Sequence, residues 1–141
     1  MFNILNINLI FERMMCMYTE LEFNVLCDNL LFSKEDIIRH IDENMSYCNG
    51  HDNNRDYDMY KKLLDVVNAR EIETITPDIN NEDFVGYIVI IEPGYICLTK
   101  ARVDEVKFGY DNDMHEVVAD YIAFENFDED IVWSSLFLNM S

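Results

Sequence analysis

The residues of this chain that could do metal or acid–base chemistry are mostly carboxylates, and they are too numerous for any one pair to be diagnostic. The sequence has 28 Asp and Glu against 10 Lys and Arg. Clusters at 104–105 and 128–130 offer the oxygen ligands that Ca²⁺ and Mg²⁺ prefer. An EF-hand loop opened at Asp111 would place Ile122 where its bidentate Glu must stand, which excludes that motif. We therefore predict no metal site.

Cysteine and histidine offer two weaker candidates. Cys48 and His51 have the close spacing of half a zinc site, but no second close pair completes it. The 4 cysteines are scattered, which is typical of reduced thiols that fill the core of a cytoplasmic protein. His115, beside Glu116, has the chemistry of a general acid or base. The sequence lacks a glycine-rich phosphate loop and a nucleophile elbow, so we predict no catalytic residue and no cofactor.

The most unusual property of the composition is its net charge. The formal charge is −18, which repels phosphate backbones and anionic membrane surfaces, because nucleic-acid binding depends on cationic contacts. No apolar run approaches the roughly 20 residues that a membrane helix needs. The charge therefore predicts a basic protein partner, with no direct nucleic-acid or membrane binding. The competing interpretation is that acidity only keeps the protein soluble.

The acidic excess is unopposed in the last part of the chain. From residue 108 onward there are eight acidic residues and no Lys or Arg. A solvated helix usually mixes both signs, because i,i+4 pairs stabilise it. We predict that this region, with two neighbouring aromatic residues, binds the partner. The predicted contact residues are Asp111, Asp113, Glu116, Asp120, Glu125, Asp128, Glu129, Asp130, Tyr121 and Trp133.

The element expected to position these acids is a helix that begins near Asp113. Asp113 and Glu116 have capping-box spacing, and Met114 and Tyr121 belong to an apolar stripe at helical spacing. On such a helix Asp113, Glu116 and Asp120 share a face and step about 4.5 to 6 Å along the axis. This is within a factor of two of the ~3.4 Å per phosphate of one DNA strand. Since Arg binds carboxylate and phosphate in similar geometry, the row predicts phosphate mimicry.

The remaining pattern predicts an α+β fold in one compact domain spanning 1–141. We expect a mainly antiparallel sheet with a central hairpin at about 84–99, packed by three to four helices. Residues 1–16 are either an edge strand or an upstream extension. In the first half of the chain we expect a strand at 21–25, helices at 34–47 and 56–69, and a β-prone run at 72–76. A strand at 84–91, buried on both faces, should return at 95–99 after a type II turn. A further strand is expected at 103–110, and the segment at 128–138 fits either a helix or a strand.

These expectations favour a binding protein that acts by occlusion. The leading hypothesis is an acidic inhibitor that covers the basic nucleic-acid-binding surface of an enzyme, as phage anti-CRISPR and anti-restriction proteins do, and acts in the host cytoplasm. An Asn- and Ile-rich, Ala-poor composition is typical of AT-rich genomes, which many phages have. The alternatives are an immunity protein against a nuclease toxin, a small viral or bacterial regulatory domain that binds a host peptide in an apolar groove, and, last, an enzyme that uses His115. The oligomeric state stays open.

Overall fold

Three helices precede one antiparallel sheet in the computed structural model, which describes residues 18–81 and 83–134, with side chains as far as Glu125. The strand order is β1-β2-β3. The fold is therefore α+β, as predicted, with three helices in the described part of the chain. The elements are α1 (Glu20–Asn29), α2 (Lys34–Gly50), α3 (Asn54–Asn68), β1 (Val85–Glu92), β2 (Tyr95–Asp111) and β3 (Glu116–Ser134). The predictions for residues 1–16 and 135–138 lie outside the described residues.

Side-chain caps fix where the helices begin. Ser33 Oγ accepts a hydrogen bond from the Asp36 amide at 3.1 Å, at the start of α2. Asn53 Oδ1 accepts one from the Asp56 amide at 3.2 Å, at the start of α3. Each cap satisfies an amide that has no partner inside its helix. The predicted helices at 34–47 and 56–69 are confirmed, with small differences at their ends.

The predicted strand at 21–25 is wrong, because this segment lies in α1. Thr19 and Glu22 form a complete capping box, with bonds of 2.9 Å and 3.2 Å, that starts a helix here. The alternation that resembled a strand includes Leu21, which is 57% exposed. The buried contacts of α1 come instead from Phe23 and Leu26, which lie three residues apart and so share a helical face.

Helices cover both faces of the sheet. On one face α2 and α3 pack against Tyr87, Ile96 and Leu98. On the other face Leu26 and Leu30 at the end of α1 pack with Phe84 and with the partly buried side chains of β2 and β3. None of the described helices combines the length and apolar character that a membrane span requires.

β1 is an edge strand, so the expectation of a central hairpin is not confirmed. It pairs antiparallel with β2 through a turn in which Gly94 has φ 77°, the positive value that a type II turn requires. On its other side it makes one isolated bridge, between Leu31 and Tyr87. The continuous apolar run of β1 reflects helices on both faces of the sheet and does not require a strand on both sides.

The β-prone run at 72–76 is extended but forms no strand. Two hydrogen bonds hold it, from the Ile75 amide to the Phe32 carbonyl at 2.7 Å and from the Tyr87 hydroxyl to the Glu73 carbonyl at 2.6 Å. The second bond is partly buried: Tyr87 is 1% exposed, whereas Glu73 is an exposed residue. This segment therefore returns the chain from α3 to β1 across the end of the helical layer.

Candidate protein-binding face

The acidic region that was predicted to be a helix is a strand, so that prediction is wrong. β2 and β3 form a long hairpin whose turn lies between Asp111 and Glu116. Asp111 Oδ1 accepts hydrogen bonds from the amides of Asp113 at 3.0 Å and Met114 at 3.3 Å. An Asp that binds the amides ahead of it favours a turn over a helix start. The β-branched and aromatic residues that follow, among them Val117, are typical of strands.

One face of this hairpin is covered and the other is open. Val106, Phe108 and Ile122 belong to the core beside α1 and define the covered face. Residues directly opposite each other on paired strands point to the same side, and side chains alternate along each strand. The open side is named the outer face. Its residues are Glu105, Lys107, Gly109 and Asp111 on β2, and Glu116, Val118, Asp120, Tyr121 and Ala123 on β3, with Arg102 and Glu125 at its inner end.

A β-bulge places Asp120 on the outer face. Lys107 lies opposite Tyr121 and Phe108 opposite Ala119, so Asp120 is the extra residue on β3. A methyl group built at Gly109 would lie 2.5 Å from Asp120 Oδ2. The carboxylate of Asp120 therefore lies over the backbone of β2, in space that the absence of a side chain at Gly109 provides.

The structure supplies two cations that the linear sequence does not place near the acids. Arg102 Nη2 donates to Glu125 Oε2 at 2.8 Å, and this hydrogen bond raises the pKa of Arg102. Lys107 lies on the outer face itself, opposite Tyr121. Glu125 is thus partly neutralised across the strands. Among the described side chains, no Lys or Arg forms an ion pair with Glu116 or Asp120.

Exposed apolar side chains accompany the acids. At the end of the hairpin, 67% of the Tyr110 surface and 63% of the Met114 surface are exposed. On the outer face Tyr121 is 52% and Val118 38% exposed. Charge and exposed aromatic surface therefore coincide at one end of the molecule, as they do in many protein-binding surfaces.

The predicted contact residues divide into three groups. Asp111, Glu116, Asp120, Tyr121 and Glu125 share the outer face, although the Asp111 carboxylate also holds the turn. Asp113 is exposed in the turn itself. The backbone of the remaining four lies in β3, but their side chains lie outside the described residues, and so their predicted role stays a prediction; these are Asp128, Glu129, Asp130 and Trp133.

Sequence reasoning missed the apolar part of this surface. Met114 and Val118 were assigned to the apolar stripe of a helix, and the structure exposes them. Gly109 was the available signal, since a glycine inside a strand often marks a bulge or a close approach.

Little in the described residues points to catalysis. His115 is exposed in the hairpin turn with φ 53°, and does not begin a helix. Within residues 18–81 and 83–125 no three His, Cys, Asp or Glu side chains come close enough to hold a metal ion. Burial raises the pKa of the Cys48 thiol, as does the nearby Asp56, which disfavours the reactive thiolate.

Searches against models of protein families, against curated proteins and against solved structures find no match to this chain.

Proposed function

We propose that this protein is an acidic inhibitor that binds a basic protein and covers its nucleic-acid-binding surface, in the manner of phage anti-CRISPR and anti-restriction proteins. The observation that carries the proposal is the outer face of the β2–β3 hairpin. It presents the carboxylates of Glu116 and Asp120 and the exposed ring of Tyr121 on the same side of the hairpin. Among the described side chains no Lys or Arg forms an ion pair with Glu116 or Asp120, so both carboxylates can contact a partner of opposite charge.

The charge would act mainly on the rate of association. A net charge of −18 attracts a basic surface from a distance, and this steering weakens as salt shortens the Debye length to about 8 Å at physiological ionic strength. The aromatic side chains would act on the lifetime of the complex. Tyr is enriched among residues whose truncation costs about 2 kcal/mol or more of binding energy. Tyr121, on the outer face and 52% exposed, is the leading candidate for that role.

The strand geometry changes the form that mimicry of nucleic acid would take. Glu116 and Asp120 are four residues apart on β3, or about 14 Å at ~3.4 Å per residue. A helix would have placed neighbouring acids about 4.5 to 6 Å apart. The wider spacing favours coverage of a broad basic surface over a match of each carboxylate to one phosphate. An immunity protein against a nuclease toxin would use the same contacts and would differ in its partner.

The test is a pair of charge-removing variants with matched positions. Glu116→Gln with Asp120→Asn removes two charges from the outer face, and Glu35→Gln with Asp42→Asn removes two exposed charges from α2. Each immobilised protein is exposed to a lysate of a bacterial host, eluted with a salt gradient, and the retained proteins are identified. We expect a basic nucleic-acid enzyme that elutes at moderate salt and is retained by the α2 variant but much less by the hairpin variant.

The purified partner then provides the functional assay. The protein should compete with DNA or RNA for that enzyme, and Tyr121→Ala should shorten the lifetime of the complex more than it slows association. Equal retention by the two double variants would place the contact elsewhere, and a partner that still binds nucleic acid at saturating inhibitor would refute occlusion.

A further inference from the structure

The outer edge of β1 has hydrogen-bonding groups that the sheet does not use. Tyr87 exchanges hydrogen bonds with Leu31 on this edge, with N···O distances of 2.6 and 3.0 Å. Backbone groups alternate between the two edges of a strand, so those of Val89 and Ile91 point to the same side as those of Tyr87. In the part of the chain that the structure describes, neither residue has a backbone partner there.

An apolar groove of about 570 Å³ runs along this edge. Its floor is formed by residues 88–91, and its walls include Leu31, His40 and Phe124. Val89 packs toward the core beneath α2 and α3, whereas Ile88 packs toward the core beside α1. A strand added along β1 would therefore find apolar contacts for its side chains on both faces of the sheet.

The sequence of β1 lacks the features that normally block pairing at an edge. From 85 to 91 there is no charged residue and no proline, and the first charge is Glu92. Natural edge strands are commonly protected by lysine, proline or an inward-pointing charge. A long apolar edge without them is a template for an added strand, the arrangement in which main-chain hydrogen bonds supply affinity and side-chain pockets supply specificity.

The charges around the groove select the occupant. Asp28 lines it, and an adjoining cavity of about 260 Å³ adds Asp36 and Glu43. Arg39 also lines that cavity, but it is bound to Asp36 at 3.1 Å. A second copy of this chain would bring the same acids and a further charge of −18. A basic segment is complementary to these charges.

We propose that the edge of β1 binds an extended segment of another protein, in which apolar residues alternate along the strand and Lys or Arg flanks them. The segment would pair with the backbone of Val89 and Ile91, and its basic flank would lie near Asp28. This site is distinct from the outer face of the hairpin, so either one can fail without the other.

The test uses a synthetic peptide in which Val alternates with Thr between terminal lysines. Binding is followed by the amide chemical shifts of the ¹⁵N-labelled protein, and we expect the largest changes at Val89 and Ile91. Ile90→Lys should weaken binding by about tenfold or more, because it places a like charge in the groove. Leu21→Lys, at an exposed position of α1, is the matched control and should bind as the parent does.

A second variant guards against an effect on folding. Val89→Pro removes the outward N–H and leaves the hydrogen bonds to β2 in place, since proline is tolerated at an edge. This variant should also lose peptide binding, while its amide spectrum remains that of a folded protein. Glu116→Gln with Asp120→Asn should leave the affinity for the peptide unchanged, which separates this site from the hairpin.

Four results would overturn the proposal. The first is that a peptide with the same alternating Val and Thr but with terminal glutamates binds as tightly as the lysine peptide or more tightly. The second is that the lysine peptide does not bind to the folded protein. The third is a concentration-dependent dimer that Ile90→Lys abolishes, since the occupant would then be a second copy. The fourth is hydrogen exchange at Val89 and Ile91 in the free monomer as slow as at Ile88 and Ile90, because the edge would then be closed.

Discussion

Two glycines in the sheet are expected to respond differently to the same substitution by Ala. A methyl group at Gly86 would lie 2.9 Å from Leu30 Cβ and 3.1 Å from the Leu31 carbonyl oxygen. Leu30 is 4% exposed, and the Leu31 carbonyl accepts the hydrogen bond of the Tyr87 amide at 2.6 Å. Neither neighbour can move without disturbing the core beside α1 or the bridge that ties the α1–α2 connection to β1. Gly86→Ala should therefore force a backbone shift.

The expected change in unfolding free energy for Gly86→Ala is the sum of two opposing effects. Overpacking of a buried site costs about 1 to 3 kcal/mol, while replacing Gly by Ala stabilises by about 0.4 to 1 kcal/mol through the unfolded chain. The net expectation for Gly86→Ala is a loss of about 1 to 2 kcal/mol of unfolding free energy. For a chain of this length that lowers the melting temperature by roughly 3 to 7 °C.

Gly109→Ala is the control. Its methyl group would meet only the Asp120 carboxylate, the end of an exposed side chain that can rotate into solvent. We expect its unfolding free energy to lie within about 0.5 kcal/mol of the parent, or slightly above it. Urea unfolding of the parent and both variants gives the comparison, provided that the denaturant slopes agree. If Gly86→Ala is as stable as Gly109→Ala, the close contact of β1 with residues 30–31 is incorrect.

Four further substitutions test two hydrogen bonds and one partly buried histidine. Tyr87→Phe should lower the unfolding free energy by about 1 kcal/mol, because the Glu73 carbonyl loses the hydroxyl that donates to it at 2.6 Å. Urea unfolding measures the difference, and no loss would show that this hydrogen bond does not stabilise the fold. Ser33→Ala should lower the unfolding free energy by about 1 kcal/mol, because it removes the side-chain cap of α2. Ser33→Asn should keep most of that stability, because Asn can also cap a helix. Burial lowers the pKa of His40 below 6.5, an effect that Glu43 opposes. The unfolded chain therefore binds a proton that the folded state does not, and stability falls as the pH drops below 6.5, by at most about 1.4 kcal/mol per pH unit. His40→Gln should flatten this dependence in unfolding curves at pH values above and below 6.5, and an unchanged slope would contradict it.

The sequence alone determined the features that depend on neighbouring residues. The caps at Ser33 and Asn53 and the amphipathic stripes behind them specify α2 and α3 locally. The turn at Gly94 requires a positive φ, which glycine adopts readily, so the reversal into β2 was also readable. The acidity of the chain and its excess after Lys107 are properties of composition and need no structure.

Tertiary contacts decided the secondary structure of segments whose apolar residues fit both the helical repeat of 3.6 residues and the strand repeat of two. The apolar positions of 114–122 suit a helix and a strand alike, and pairing with β2 resolves them as a strand because Phe108 and Ile122 can then share the core beside α1. At 21–25 the outcome was the reverse: Leu26 is buried in a helix, which the local capping box of Thr19 and Glu22 already favoured.

Only the tertiary structure decided which charges meet. Arg102 is far from Glu125 in sequence but opposite it in the sheet, so an acid that looked unopposed has a cation. The same pairing puts Glu116, Asp120 and Tyr121 on one open face and, among the described strands, leaves β1 at an edge. Strand order and register depend on contacts between distant residues, and local periodicity carries no record of them.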